Sequence, residues 1–275
     1  MLFTCGCMRI NTGECQIKGN ISMLNIGFLT LMKREIWRFM ALYKQTLLPS
    51  VISSGLYIMV FGQSLGSRIG SIKEASYINY IIPGLVMMAV INHAFQNSSS
   101  SMMQSKFLRF IEDILVTPLS GLELSMGYIV GGLVRGILNG ILVLILSWVL
   151  TGFTISYWWL TFLYLIVVSW AFSAIGVIVG IFAESWDHIA VFTNFIFMPL
   201  IFLGGVFYSI DMLPPFWRSL SQFNPLYWMI NGMRYATLGI YDTSPVLSLI
   251  ISVAIAIVLT FIASYMFTKG YKIKT

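Results

Sequence analysis

Charge is what this chain has least of: Asp, Glu, Lys and Arg together make up 9% of its 275 residues, against 58% hydrophobic ones. Soluble domains carry roughly 25% charged residues, so this balance excludes a water-soluble fold. Cysteine is scarce and misplaced for a structural role. Cys5, Cys7 and Cys15 all fall within the first fifteen residues, and a C-x-C pair with a distant third matches no four-ligand metal spacing. No metal site or disulfide framework is expected. Residues 1–22 lack the apolar run of a secretory signal, and no G-x-x-x-x-G-K-[ST] phosphate loop occurs anywhere in the sequence. Catalytic groupings are missing too. Glu184, Asp187 and His188 have no companion nucleophile at a recognisable spacing, which argues against an integral-membrane enzyme.

What is abundant is long apolar sequence. Stretches of about 20 apolar residues recur, each able to cross about 30 Å of hydrocarbon as a helix with its backbone bonds satisfied internally. Continuous runs such as Ile137 to Leu150 do not alternate as the strands of a transmembrane barrel would. The fold class expected is therefore all-α and polytopic, with six spans at 46–64, 78–101, 125–150, 158–182, 189–208 and 246–267. An even number of spans puts both termini on one side. Counted by side, eleven Lys and Arg fall on the terminal face and Arg68, Lys73, Arg218 and Arg234 on the other, with Arg135 inside a span. The positive-inside rule then makes both termini cytoplasmic, with Tyr157, Trp158 and Trp159 at the outer interface. The basic balance reads as membrane orientation and calls for no nucleic-acid partner. Residues 1–22 are expected to be an unstructured extension, or to lie upstream of a start at Met23; 23–275 form one membrane domain.

Three regions are neither span nor simple loop. Residues 28–44 are too charged to cross the membrane but two-sided at helical spacing: Leu29, Met32, Ile36, Phe39, Met40 and Tyr43 oppose Lys33, Arg34, Arg38 and Lys44. This predicts an interfacial amphipathic helix against the lipid bilayer. Residues 102–120 place Met103, Phe107, Phe110, Ile111 and Ile114 on one face and Lys106, Arg109, Glu112 and Asp113 on the other, ended by Pro118. The segment reads either as a solvated helix with Arg109 paired to Glu112 and Asp113, or as a rod gripped by a moving partner. Residues 209–245 carry Pro214, Pro215, Asn224, Pro225 and Arg234 with several aromatics. Helix starts at Asp211 with Pro214-Pro215 and again at Asn224-Pro225, with a stop at Gly239, predict a re-entrant helix pair. Inside the third span, Arg135 costs at least ~2.5 kcal/mol near a bilayer centre unless it snorkels or pairs. It is expected to bond Asn139, or a carboxylate such as Glu184 or Asp187. A substrate-contacting role is the alternative. Gly132, Gly136 and Gly140 beside it form a ridge that admits a neighbouring helix. His93 and Asn97 to Ser101 read as a satisfied polar helix end rather than a metal or proton site.

YINYIIPGLVMM (77–88), KFLRFIEDILVTPLS (106–120) and PLIFLGGVFYSIDMLPPFWRSLSQFNPLYWMINGMRY (199–235) together resemble permease subunits of type-2 ABC exporters, over about residues 24–275. The resemblance implies a permease without a cofactor of its own that works as a dimer, most simply a homodimer. Its partner is an ABC ATP-binding subunit, which carries ATP and Mg, in the bacterial cytoplasmic (inner) membrane. It also implies that Lys106, Arg109, Glu112 and Asp113, with Lys33, Arg34 and Arg38, form the ATPase-coupling surface. The competing classes are an ion-coupled secondary transporter or channel, for which broken mid-membrane spans or internal repeats are expected, and a membrane enzyme.

Overall fold

The computed structural model describes residues 12–41, 43–64, 70–72 and 75–270, with side chains from Ile26 onward. Cys5, Cys7, Arg68, Lys73, Lys272 and Lys274 lie outside the described residues, as does all of 1–11. Helix α1 spans Thr12–Ala41, so the backbone is already helical within the expected extension. Helix α2 (Tyr43–Ser64) is followed by the two-residue antiparallel strands β1 (Ser71–Ile72) and β2 (Ala75–Ser76). Helices α3 (Tyr77–Phe107), α4 (Phe110–Leu115), α5 (Gly121–Thr151) and α6 (Trp158–Phe182) come next. The chain continues through α7 (Trp186–Phe192), a π-turn (Thr193–Phe197) and α8 (Met198–Leu203), which run on as one interrupted helix. A 3-10 turn (Ile210–Met212) and helices α9 (Pro215–Phe223), α10 (Pro225–Leu238) and α11 (Pro245–Lys269) complete it.

Among the described residues, α2, α3, α5, α6, the α7–α8 run and α11 are long and apolar enough to cross a membrane. They match the six anticipated spans, and local signals explain several of their ends. Ser120 and Glu123 form a reciprocal capping box at the start of α5, and Gly152, in the left-handed region (φ 67°), closes it. Asn224 caps α10 by accepting the Leu226 amide at 3.0 Å.

A single rod over 102–120 does not form. Helix α3 continues past the anticipated end at 101 to Phe107, because Ser101, Met102, Met103 and Ser105 are buried against neighbouring helices. The backbone then turns at Arg109 (φ 59°), a left-handed conformation uncommon for a side-chain-bearing residue. Helix α4 has only six residues and stops short of Thr117-Pro118, where the pre-proline position disfavours helix.

Helices α3, α5 and α6 form the centre of the bundle. Their approach depends on the small-residue ridge. A Cβ on Gly132 would collide with the Ser98 and Ser173 hydroxyls, and one on Gly136 would come within 2.7 Å of the Ser169 hydroxyl and 2.9 Å of Ala94. By contrast, the α7–α8 run has little of its surface covered, with Val191, Phe195 and Phe202 exposed.

Candidate functional site

Helix α1 is pinned to the bundle by a buried carboxylate. Leu31, Glu35 and Phe39, spaced four apart, face the protein, and Glu35 is 0% exposed. Its carboxylate lies 2.9 Å from Arg34 Nη2 and 3.5 Å from Arg38 Nε, and accepts a hydrogen bond from Ser101 Oγ. Arg38 Nη2 donates onward to the Asn97 carbonyl (2.9 Å) and side-chain oxygen (3.1 Å). Tyr128 OH donates to Ser105 Oγ at 3.0 Å. The bare Gly131 backbone leaves room for the Glu35 side chain. Thus Arg34 and Arg38 turn toward α3 and α5, where the helical wheel placed them opposite the buried face. Leu29, Met40 and Tyr43 of the anticipated apolar arc are exposed. Sequence reasoning missed Glu35. The available signal was a lone carboxylate flanked by arginines at i−1 and i+3, on the same stripe as Leu31 and Phe39.

The residues anticipated for coupling divide into two groups. Lys106 Nζ donates to the Ile181 and Ala183 carbonyls, both at 2.8 Å, and so caps the C-terminus of α6. Arg109, Glu112 and Asp113 are exposed, as is Lys33. No ion pair joins Arg109 to Glu112 or Asp113 among the described residues. Beside these charges lie Phe107 and Val116, 74% and 87% exposed, together with Phe110. The apolar stripe of 102–120 is therefore only partly buried, through Met103 and Ile111, because the turn at Arg109 takes the later residues off the earlier face.

A trough of two cavities lies along α3, with polar groups on part of an otherwise apolar wall. Asn92, Gln96 and Ser100 line a cavity of about 430 Å³ with Trp186, Thr193 and Asn194. Asn92 also lines a second cavity, of about 270 Å³, with Ser50, Ser53, Ser54 and Tyr57 of α2, His93, and Met198. The two adjoin at Asn92, between α2, α3 and the α7–α8 run. The π-turn sits on the trough wall, where Thr193 and Asn194 face the first cavity and the Met198 amide reaches back five residues to Thr193. Such wide turns are frequent at functional positions.

Arg135 does not meet the partners anticipated for it. Asn139 Nδ2 donates to the Arg135 backbone carbonyl at 2.9 Å, and neither Glu184 nor Asp187 pairs with the guanidinium. Arg135 Nη2 instead donates to His93 Nδ1 at 3.4 Å. Accordingly His93 is not part of a helix end: it lies mid-helix in α3.

At the opposite end from α1, α9 and α10 form the expected pair of short helices. Pro214 stands at the N-cap position of α9 and Pro215 begins it; Asn224 caps α10 and Pro225 begins it, with Gly239 (φ 75°) closing it. Arg234, 1% exposed, meets Asp242 at 3.3 Å, donates to the Gly205 carbonyl at 2.6 Å, and stacks its guanidinium 4.0 Å from the centre of the Tyr80 ring. Asn231 donates to the Thr243 carbonyl and to the Ser248 hydroxyl, each at 3.0 Å, and accepts the Asp242 amide at 2.8 Å. Asn224 Nδ2 donates to the Leu200 carbonyl at 2.6 Å, tying the pair to α8.

No three His, Cys, Asp or Glu side chains come together as metal ligands among the described residues. The arrangement is that of a helical bundle with two adjoining cavities beside α3 and charged, exposed elements on α4. The inner membrane transport permease YadH of Escherichia coli (strain K12) is 41% identical over 217 residues, covering 79% of this chain and 85% of that protein. Nodulation protein J of Rhizobium leguminosarum bv. viciae is 24% identical over 221 residues, 78% of this chain and 83% of the relative. The family described as ABC-2 type transporter matches residues 27–238. The chain belongs to the ABC-2 type transporter family, as a membrane permease subunit.

Proposed function

We propose that this permease is the membrane half of an ATP-driven exporter in the bacterial inner membrane, with both termini cytoplasmic. A second copy completes the translocation path, and a separate ATP-binding subunit drives it. The observation that carries this reading is the trough. Two adjoining cavities, to which Ser53, Asn92, Gln96, Ser100 and Asn194 contribute polar groups, lie among helices otherwise suited to lipid, where unmatched polar groups are costly. A partner copy that closes the trough turns it into a partly polar path between two bundles. The ATP-binding subunit docks on α4, where Glu112 and Asp113 project beside exposed Phe107, Phe110 and Val116. Arg109 adjoins that surface and Lys33 on α1 is assigned to the same docking face, while Arg34, Glu35 and Arg38 carry its displacement into α3 and α5. Lys106 serves the bundle as a cap.

The test is the double reversal Glu112→Lys/Asp113→Lys, made in the complex with its ATP-binding subunit. Both side chains are exposed, so folding stability should change by only about 0.5 kcal/mol. Co-purification of the ATP-binding subunit should fall at least fivefold and transport should be lost, because like charges then face a surface built for carboxylates. Lys73→Glu, in the connection between α2 and α3, should do neither. Normal transport and co-purification by the double reversal would sink the docking assignment.

A further inference from the structure

Arg135 is the fifteenth of the 31 residues of α5, at the middle of a span, and it is 7% exposed. Among the described residues no carboxylate lies within ion-pair distance of it. Its Nε is buried without a hydrogen-bond partner, and its contact to His93 Nδ1 is long. A guanidinium can only donate, so that contact makes Nδ1 the acceptor. A neutral imidazole then carries its proton on Nε2. His93 lines the 270 Å³ cavity with Ser50, Ser53, Ser54 and Asn92. Ser50 is 7% exposed, and its hydroxyl is buried with no partner.

We propose that this cavity is a subsite for an anionic group, a phosphate or carboxylate, borne on an amphipathic molecule. His93 Nε2–H and the Ser50 hydroxyl are its donors; Arg135 supplies the positive field and holds the His93 tautomer. The lining favours that class. It presents hydroxyls, an imidazole and the Asn92 amide but no carboxylate, and its remaining wall is apolar, through Tyr57, Leu85, Met88 and Met198. A buried cation without a counter-charge is unfavourable in apolar surroundings, and an incoming anion supplies the counter-charge. The apolar wall suits the body of an amphiphile better than a free inorganic ion. The inference rests on the transport reading, since the cavity is part of the trough assigned to the path.

The full-length chain in phosphatidylcholine nanodiscs is titrated with dodecyl phosphate and, in parallel, with uncharged dodecyl maltoside, by calorimetry against empty nanodiscs. Saturable binding of the phosphate alone is expected. Arg135→Gln should weaken it at least tenfold and His93→Gln several-fold, while Arg135→Lys keeps part of it and Arg218→Gln, on the surface, changes nothing. Should Arg135→Gln fail to fold, Arg135→Lys and His93→Gln carry the test. Equal binding of both amphiphiles, or no effect of the His93 and Arg135 changes in folded protein, overturns the proposal. Native mass spectrometry separates the sources. Phosphatidylglycerol retained by the wild type and lost from the variants makes the occupant a membrane lipid, whereas dodecyl phosphate binding without retained lipid makes it an anionic amphiphile other than a resident lipid. Co-purification of the ATP-binding subunit is scored on the same variants. If the subunit binds while anion selectivity is absent, only the subsite fails; if selectivity persists with no ATP-binding subunit bound, the exporter reading fails.

Discussion

Glu35 and Arg135 are both ionisable groups sunk among helices, and their surroundings differ in kind. Glu35 meets two arginines and a serine hydroxyl, so its charge is matched within the protein. Removing it strands Arg38 beside Asn97 and loosens α1. Because Arg34 and Arg38 keep 42% and 27% side-chain exposure, they can recover some hydration. Glu35→Ala should therefore cost about 1.5–3 kcal/mol, the range for hydrogen bonds to a charged group, rather than the full penalty of breaking a deeply buried pair. Ser101→Ala should cost less. Thermal unfolding in detergent checks both, and an unchanged melting temperature for Glu35→Ala would remove the pin from the account of α1. Neither the pin nor the Arg135 contact was legible in the sequence. The residues that make them are 66 positions apart for Glu35 and Ser101 and 42 for His93 and Arg135, so helical spacing carries no information about them.

At the scale of elements, local chemistry was a better guide. The starts of α9 and α10 at Pro215 and Pro225 and the stop at Gly239 follow from proline's fixed φ and glycine's access to the left-handed region. What holds these helices to the bundle is a different matter, and it centres on Arg234. Its counter-ion Asp242 lies eight residues on, past the end of α10, and both side chains are almost fully buried. Asp242→Asn keeps the shape and an acceptor oxygen but removes the counter-charge that faces the guanidinium, leaving a buried unpaired cation. A loss of about 3–5 kcal/mol is expected, as for a buried pair deprived of one partner. Amides of the 239–244 connection should exchange faster with solvent in the same variant. If neither stability nor exchange changes, the pair is incidental to the docking of α10. The segment 102–120 gives the opposite lesson: its helical spacing was real, yet the backbone at Arg109 (φ 59°) divides it, and no residue there announces a turn as glycine would.

For the whole molecule, the proposed orientation makes a direct prediction. With Cys5, Cys7 and Cys15 replaced by serine, a cysteine at Trp217 should react with a membrane-impermeant thiol reagent in intact cells, and one at Arg109 should react only after the membrane is opened. Both positions are exposed, so the difference reads sidedness rather than burial. The reverse pattern would overturn the assignment of both termini to the cytoplasm. By itself the sequence determined the class, the six spans and the caps of several helices, because partition between water and hydrocarbon and the backbone preferences of Pro, Gly, Ser and Asn act within a few residues of chain. Only the tertiary structure decided that Lys106 caps α6, that Arg38 faces Asn97, that Arg135 meets His93 rather than a carboxylate, and that α2, α3 and the α7–α8 run enclose a trough. Those outcomes depend on which helices become neighbours and at what rotation, and that is set by close contacts such as Gly132 against Ser98 and Ser173, made between segments that the chain itself keeps far apart.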